Sequence, residues 1–177
     1  MAKTRDRILF SREAIQTRVA ELGTQLSQDY KDGEVVVISL LRGSFVFTAD
    51  LVREITVPVN VDFMTTSSYG HGEHSTGRVE IVTDIRTDIA GKDVLVCDDI
   101  LDTGITMRGV LDHLAAKNPK SLKTCTFLDK PSRRLVDVPL DYTGFTIEDL
   151  FVAGYGLNLG DYARNLPYIF VRETVED

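Results

Sequence analysis

No run of 18 apolar residues occurs anywhere in the 177-residue chain, so no stretch of it is long enough to cross a membrane as a helix. The opening residues, MAKTRDRILF, are basic but lack an apolar core, so no signal peptide is read and the cytoplasm is the expected location. There are two cysteines, Cys97 and Cys125, each inside an apolar β-like run, and both read as reduced core thiols. Positive charge is also scarce: the formal net charge is −7. A general nucleic-acid binder would usually be basic, so no nucleic-acid partner is expected. Repeats, low-complexity tracts and linkers are missing too, which leaves one domain over residues 1–177.

Strand and helix signals alternate along the chain. Ile15, Val19, Leu22 and Leu26 recur at helical spacing, which predicts an amphipathic helix over 11–30, capped by Ser11. Val35 to Leu41 is a continuous apolar run, the pattern of a strand buried on both faces. Gly43 opens a helical stretch to about Arg53, and Val57 to Phe63 alternates as a strand does. Residues 65–77 are polar and glycine-bearing and predict a long mobile loop, with a strand returning at 78–83. Within that loop His71 and His74 read as solvated residues. Val94 to Cys97 is a further strand, followed by a helix marked by Met107, Val110, Leu111 and Leu114 and stopped by Asn118-Pro119. Leu122 to Leu128 and residues 167–172 complete the strands. The alternation predicts an α/β fold with a mostly parallel twisted sheet flanked by helices on both faces. Ligands of such sheets bind at the carboxyl ends of strands.

The segment VLVCDDILDTGITM, residues 94–107, carries the most chemistry at a strand end. Asp98, Asp99 and Asp102 offer carboxylates for cations or hydroxyl groups. Thr103-Gly104-Ile105-Thr106 leads into a helix N-terminus, where backbone N–H groups and two hydroxyls can hold a phosphate. Together they suit a ribose 5-phosphate. The plain alternative is a solvated acidic turn with Thr103 as a helix cap.

This segment resembles the 5-phosphoribosyl 1-pyrophosphate motif of type I phosphoribosyltransferases. SLLRGSFVF (39–47), VDFMTTSSYG (61–70), LDKPSRR (128–134) and FVAGYG (151–156) stand in the order and spacing of the hypoxanthine phosphoribosyltransferases, and the resemblance runs from about residue 8 to 172. It implies that fold, with a small hood and a mobile lid loop. It implies transfer of 5-phosphoribosyl to a 6-oxopurine in purine salvage, small-molecule substrates, Mg²⁺ as cofactor, and a homodimer or homotetramer.

The resemblance also implies roles. Asp98 and Asp99 would meet the ribose hydroxyls, one through Mg²⁺, although the family more often has Glu at the first position. Asp102 would be the general base or acid near purine N7. Thr103, Gly104, Ile105 and Thr106 would cradle the 5′-phosphate. Leu41, Arg42 and Gly43 would form the pyrophosphate loop, in which similar enzymes can carry a cis peptide between the first two. Lys130 would donate to the purine O6, Phe151 would stack on the base, and Val152 would read it through its backbone. Arg164 would reach pyrophosphate, and Ser68 and Tyr69 would lie in the closing loop. Asn158 stands where the family usually has a metal-binding Asp.

Taken singly, several of these residues have plainer readings. Gly43 could be a helix-entry glycine, Lys130 a solvated turn residue, and Phe151-Val152 a core pair. Arg164 could be a surface helix residue and Asn158 a turn cap. Rival functions are a regulator that senses the phosphoribosyl donor and binds nucleic acid, a receiver domain, and a transferase for xanthine or a pyrimidine. The regulator lacks a basic face, and Asp99 and Lys130 stand only 31 positions apart, with no room for the receiver arrangement.

Overall fold

The structure, a computed structural model, describes residues 3–68 and 79–175. Six strands form the main sheet: β2 (Val35–Leu41), β3 (Val59–Ser68), β4 (Val79–Thr83), β5 (Asp93–Leu101), β6 (Ser121–Asp129) and β7 (Tyr142–Thr146). Their order is β4-β3-β2-β5-β6-β7, with every neighbouring pair parallel except the antiparallel β3–β4. A second, antiparallel sheet has the order β1-β9-β8, from β1 (Lys3–Phe10), β8 (Val152–Ala153) and β9 (Ile169–Val175).

The continuous apolar run of β2 has the expected consequence. Val35 and Val37 join one core with helices α1 (Arg12–Asp29) and α2 (Phe45–Glu54). Val36 and Ile38 join a second core with α3 (Ile105–Ala115). Alternate side chains of one strand thus meet helices on opposite faces, so the central strands have almost no polar side. Cys97 and Cys125 are free and buried in the first core. The Ser11 side chain accepts from the Ala14 N–H and caps α1 as read from the sequence. No helix among the described residues is long and apolar enough to cross a membrane.

Several boundaries differ from the sequence reading, and for the strands the reason is that inter-strand hydrogen bonding, not apolar alternation, decides where a strand ends. β3 runs on through Thr65–Ser68, where it pairs with β4, so the expected loop begins later. Ser68 pairs with Val79, which brings the two ends of segment 69–78 together. That segment, including Tyr69, His71 and His74, lies outside the described residues, as does the side chain of Ser68. β5 extends past Cys97, so Asp98 and Asp99 belong to the strand rather than follow it, and Asp98 pairs with Thr126 of β6. α2 starts at Phe45, not at Gly43, and the Ser44 hydroxyl turns inward to the Leu40 carbonyl instead of capping the helix.

The chain leaves β2 toward β3 on one side, and leaves β5 toward β6 on the other. The carboxyl ends of β2 and β5 therefore flank the switch point of the sheet, where a crevice must open.

Candidate active site

A cavity of about 230 Å³ occupies that switch point. Leu40 to Gly43 line it from the end of β2, and Asp98 to Gly104 from the end of β5. Thr106 and Met107 add the first turn of α3, and Thr66 adds β3. Two segments far apart in the sequence are thus joined because their strands are neighbours.

The β2 end is held from below by buried hydroxyls. The Ser39 and Ser44 oxygens stand 2.7 Å apart, and Ser39 lies 2.9 Å from the Thr48 hydroxyl. The Leu41–Arg42 peptide is cis. Gly43 has no room for a side chain: an added Cβ would stand 1.6 Å from the Asp99 carboxylate. The close approach of this backbone to Asp99 is therefore what requires glycine there. On the other segment Gly104 has φ +86°, a conformation that favours glycine, and it turns β5 into α3. The first backbone N–H groups of α3 have no partner within the helix and stand at the cavity with the Thr106 side chain.

Asp98 and Asp99 give the cavity its electrostatic character. Burial pushes the Asp98 carboxyl well above the usual carboxylate range, and the neighbouring Asp99 adds to this. Burial also raises Asp99, opposed by a hydrogen bond with Asp98, by backbone N–H groups and by the charge of Arg164. Two carboxylates held together this way favour a cation. Among the described residues no three His, Cys, Asp or Glu side chains gather as a metal site. Two hard oxygen donors fit Mg²⁺ provided substrate oxygens and water complete the shell.

The 3-10 turn Pro131–Arg133 follows β6 and straps itself to the Asp102 loop. The Lys130 N–H donates to the Leu101 carbonyl, and the Leu135 and Val136 N–H groups donate to that of Thr103. Arg134 donates to the Asp102 carbonyl at 3.1 Å. The Lys130 side chain is only 9% exposed and lies 3.6 Å from Asp149. Arg133 donates to Asp102 Oδ1 at 2.8 Å and to Asp149 Oδ2 at 3.3 Å.

The remaining sequence candidates stand outside the cavity lining. Ile105 begins α3. Phe151 is exposed and Val152 is buried in β8. Arg164 donates to the Gly156 carbonyl and lines a second cavity, of about 380 Å³, with Tyr155 and Arg53. Asn158 donates through Nδ2 to the Gly160 carbonyl at 2.8 Å. Gly156 packs directly against the Gly43 carbonyl, so the turn that follows it stands beside the pyrophosphate-loop candidate. Sequence reasoning missed Arg133, Arg134, Asp149 and Thr66. The two arginines after Lys130-Pro131 were the available signal.

Comparison with known proteins agrees with this architecture. Residues 8–159 match the phosphoribosyl transferase domain. The chain belongs to the phosphoribosyltransferase family. It is 51% identical over 164 residues to a hypoxanthine phosphoribosyltransferase of Salmonella typhimurium, covering 92% of each chain. It is 49% identical over 168 residues to a hypoxanthine-guanine phosphoribosyltransferase of Aquifex aeolicus, covering 94% of each. The crystal structure of a Bacillus anthracis hypoxanthine-guanine phosphoribosyltransferase superimposes with a TM-score of 0.90 at 45% identity, over 97% of this chain and 99% of that one.

Proposed function

We propose that the chain transfers the 5-phosphoribosyl group of 5-phosphoribosyl 1-pyrophosphate to hypoxanthine or guanine, releasing pyrophosphate in purine salvage. The observation that carries this reading is the single cavity at the β2/β5 switch point. It unites the Leu41-Arg42-Gly43 backbone, three carboxylates and a helix N-terminus. A phosphate, two sugar hydroxyls and a polyanionic leaving group need that set.

Thr103 to Thr106 hold the 5′-phosphate with backbone N–H groups and hydroxyls. Asp98 and Asp99 receive the ribose hydroxyls and face positive charge as it develops on the ring. Asp98 and Asp99 would hold Mg²⁺, which would supply neutralisation of charge on the leaving group. Leu41, Arg42 and Gly43 present backbone groups to pyrophosphate, and Arg164 approaches from the hood. Purine N9 bonds to C1 of the ribose as the C1–O bond breaks, its electron pair leaving on pyrophosphate. The N7 proton passes to Asp102. Lys130 donates to O6, Phe151 covers the base and Val152 reads its edge. Ser68 and Tyr69 belong to the covering loop, which excludes water.

The whole of 1–177 is taken as one cytoplasmic domain, assembled as a homodimer or homotetramer. Exposed Phe45 and Phe63 offer apolar surface for such contacts. The net charge of −7 fits a protein without a nucleic-acid partner.

The test is to incubate purified protein with donor, Mg²⁺ and a panel of bases. Hypoxanthine and guanine should give inosine and guanosine monophosphates plus pyrophosphate. Adenine should be rejected, because its 6-amino group cannot accept from Lys130. Equal turnover of adenine and hypoxanthine would sink the reading.

A further inference from the structure

Four charges of alternating sign run in a line from Asp102 to Lys130. Arg133 Nε stands 2.8 Å from Asp102 Oδ1, and Arg133 Nη1 stands 3.3 Å from Asp149 Oδ2. Asp149 Oδ1 then lies 3.6 Å from Lys130 Nζ. The two ends of this line are the groups assigned to the purine, and the two in the middle have no assigned part. We infer that Arg133 and Asp149 are positioning residues that fix the spacing and aim of Asp102 and Lys130 for a 6-oxopurine. The inference rests on the transfer reading given above.

Backbone N–H groups of Lys130, Leu135 and Val136, with the Arg134 side chain on the Asp102 carbonyl, already hold the strap in place. The ion pairs are not needed to hold that strap down. Arg133 and Asp149 are 47% and 51% exposed, and surface pairs of this kind contribute little to stability. Their effect lies in geometry. Arg133 occupies only Oδ1 of Asp102, and Oδ2 has no hydrogen-bond partner among the described residues. One carboxylate oxygen is held while the other stays available for the N7 proton. At the far end, Asp149 is the ion-pair partner of a nearly enclosed Lys130, whose ammonium has no other carboxylate partner among the described residues. A purine that accepts from Lys130 at O6 and gives its N7 proton to Asp102 touches both ends at once. The separation of those ends therefore discriminates among bases.

Other charges also bear on Asp102. Arg42, Asp98 and Asp99 line the same cavity, and Lys130, Arg133, Arg134 and Asp149 approach from the strap and the turn after β7. Among the described residues, Arg133 is the one whose side chain meets the carboxylate. The test compares Arg133→Met, Arg133→Lys and Asp149→Asn with the parent, varying each substrate. Arg133→Met should lower kcat about fivefold and leave KM for the phosphoribosyl donor unchanged. Arg133→Lys should recover most of kcat, and Asp149→Asn should raise KM for the base. All three should melt within about 2 °C of the parent. A kcat for Arg133→Met that matches an active parent would overturn the inference and leave the transfer reading intact. A parent that converts no 6-oxopurine overturns both.

Discussion

The two ends of β5 treat aspartate in opposite ways. At the amino end, Asp93 accepts from Lys120 at 2.7 Å and from the Ser121 hydroxyl. The Lys120 bond, then that of Ser121, hold its carboxyl below the usual range. At the carboxyl end, Asp98 and Asp99 stand side by side at a partly enclosed cavity, and burial raises both. The same residue type on one strand therefore stabilises the fold at one end and is held at a cost at the other. The costly end lines the cavity and the satisfied end does not. Unneutralised charge concentrated at a strand end is thus the physical mark of the site.

The largest effect should come from Asp102, just beyond the costly end. Asp102→Asn should lower kcat by ~10²–10⁴-fold while donor binding changes little, since a proton acceptor matters mainly in the transition state. Steady-state rates with hypoxanthine, set beside donor affinity by calorimetry, check it. Unchanged turnover would remove Asp102 from the chemistry. Asp93→Ala is the matched control: its activity should equal that of the parent.

Stability should show the reverse ordering. Asp93→Ala should cost roughly 1–2 kcal/mol, lowering the melting temperature by about 2–6 °C near pH 7. Asp98→Asn should raise the melting temperature of the metal-free protein. The signs with pH follow from the shifts. Asp93 has a depressed folded value, so its contribution is complete above the unfolded value of about 3.9 and is lost as pH falls through the folded one. The deficit of Asp93→Ala should therefore hold from pH 8 to 5 and shrink on further acidification. Asp98 has a raised folded value, so its cost is greatest above that value and fades as pH falls toward it. The gain in Asp98→Asn should therefore shrink as the solution is acidified. Melting curves at several pH values test both. Parallel shifts in the two variants would erase the contrast between the ends of β5.

How much of this was legible depends on where the information lies in the chain. β2 could be read because burial on both faces leaves an uninterrupted apolar run. β1 could not: half of KTRDRILF is charged, and it is held by pairing with β9 about 160 positions away, as in the Arg172–Asp6 ion pair. β7 was hidden by Gly144, which a strand tolerates here because the Phe127 carbonyl fills the space of its missing side chain. Asp98 to Thr106 were legible because strand, turn and helix start follow one another in sequence. Arg133 and Asp149 were not, because a charged turn reads as solvated until its partner, 31 positions away in the case of Asp102, is in place. Lys130 stood out only through the family resemblance.

The smallest effect should come from Asn158. The family resemblance implies Asp at this position, so Asn158 would bring one negative charge fewer to the pyrophosphate side. The structure gives Asn158 a different task, because its Nδ2 donates to the Gly160 carbonyl and closes an exposed turn. That bond uses the amide nitrogen and leaves the side-chain oxygen without a partner among the described residues. A neutral oxygen can still face Mg²⁺ directly or through water, and pyrophosphate supplies charge of its own. Asn158→Asp should therefore remain active and reach half-activation at lower Mg²⁺, by roughly tenfold or less. It should also melt slightly lower, because aspartate has no donor for Gly160 and the turn loses about 1 kcal/mol. The two effects separate the two roles. Superimposed Mg²⁺ titrations at saturating donor, together with the lower melting temperature, would make Asn158 a turn cap alone. A shifted titration would give it a part in holding the metal as well.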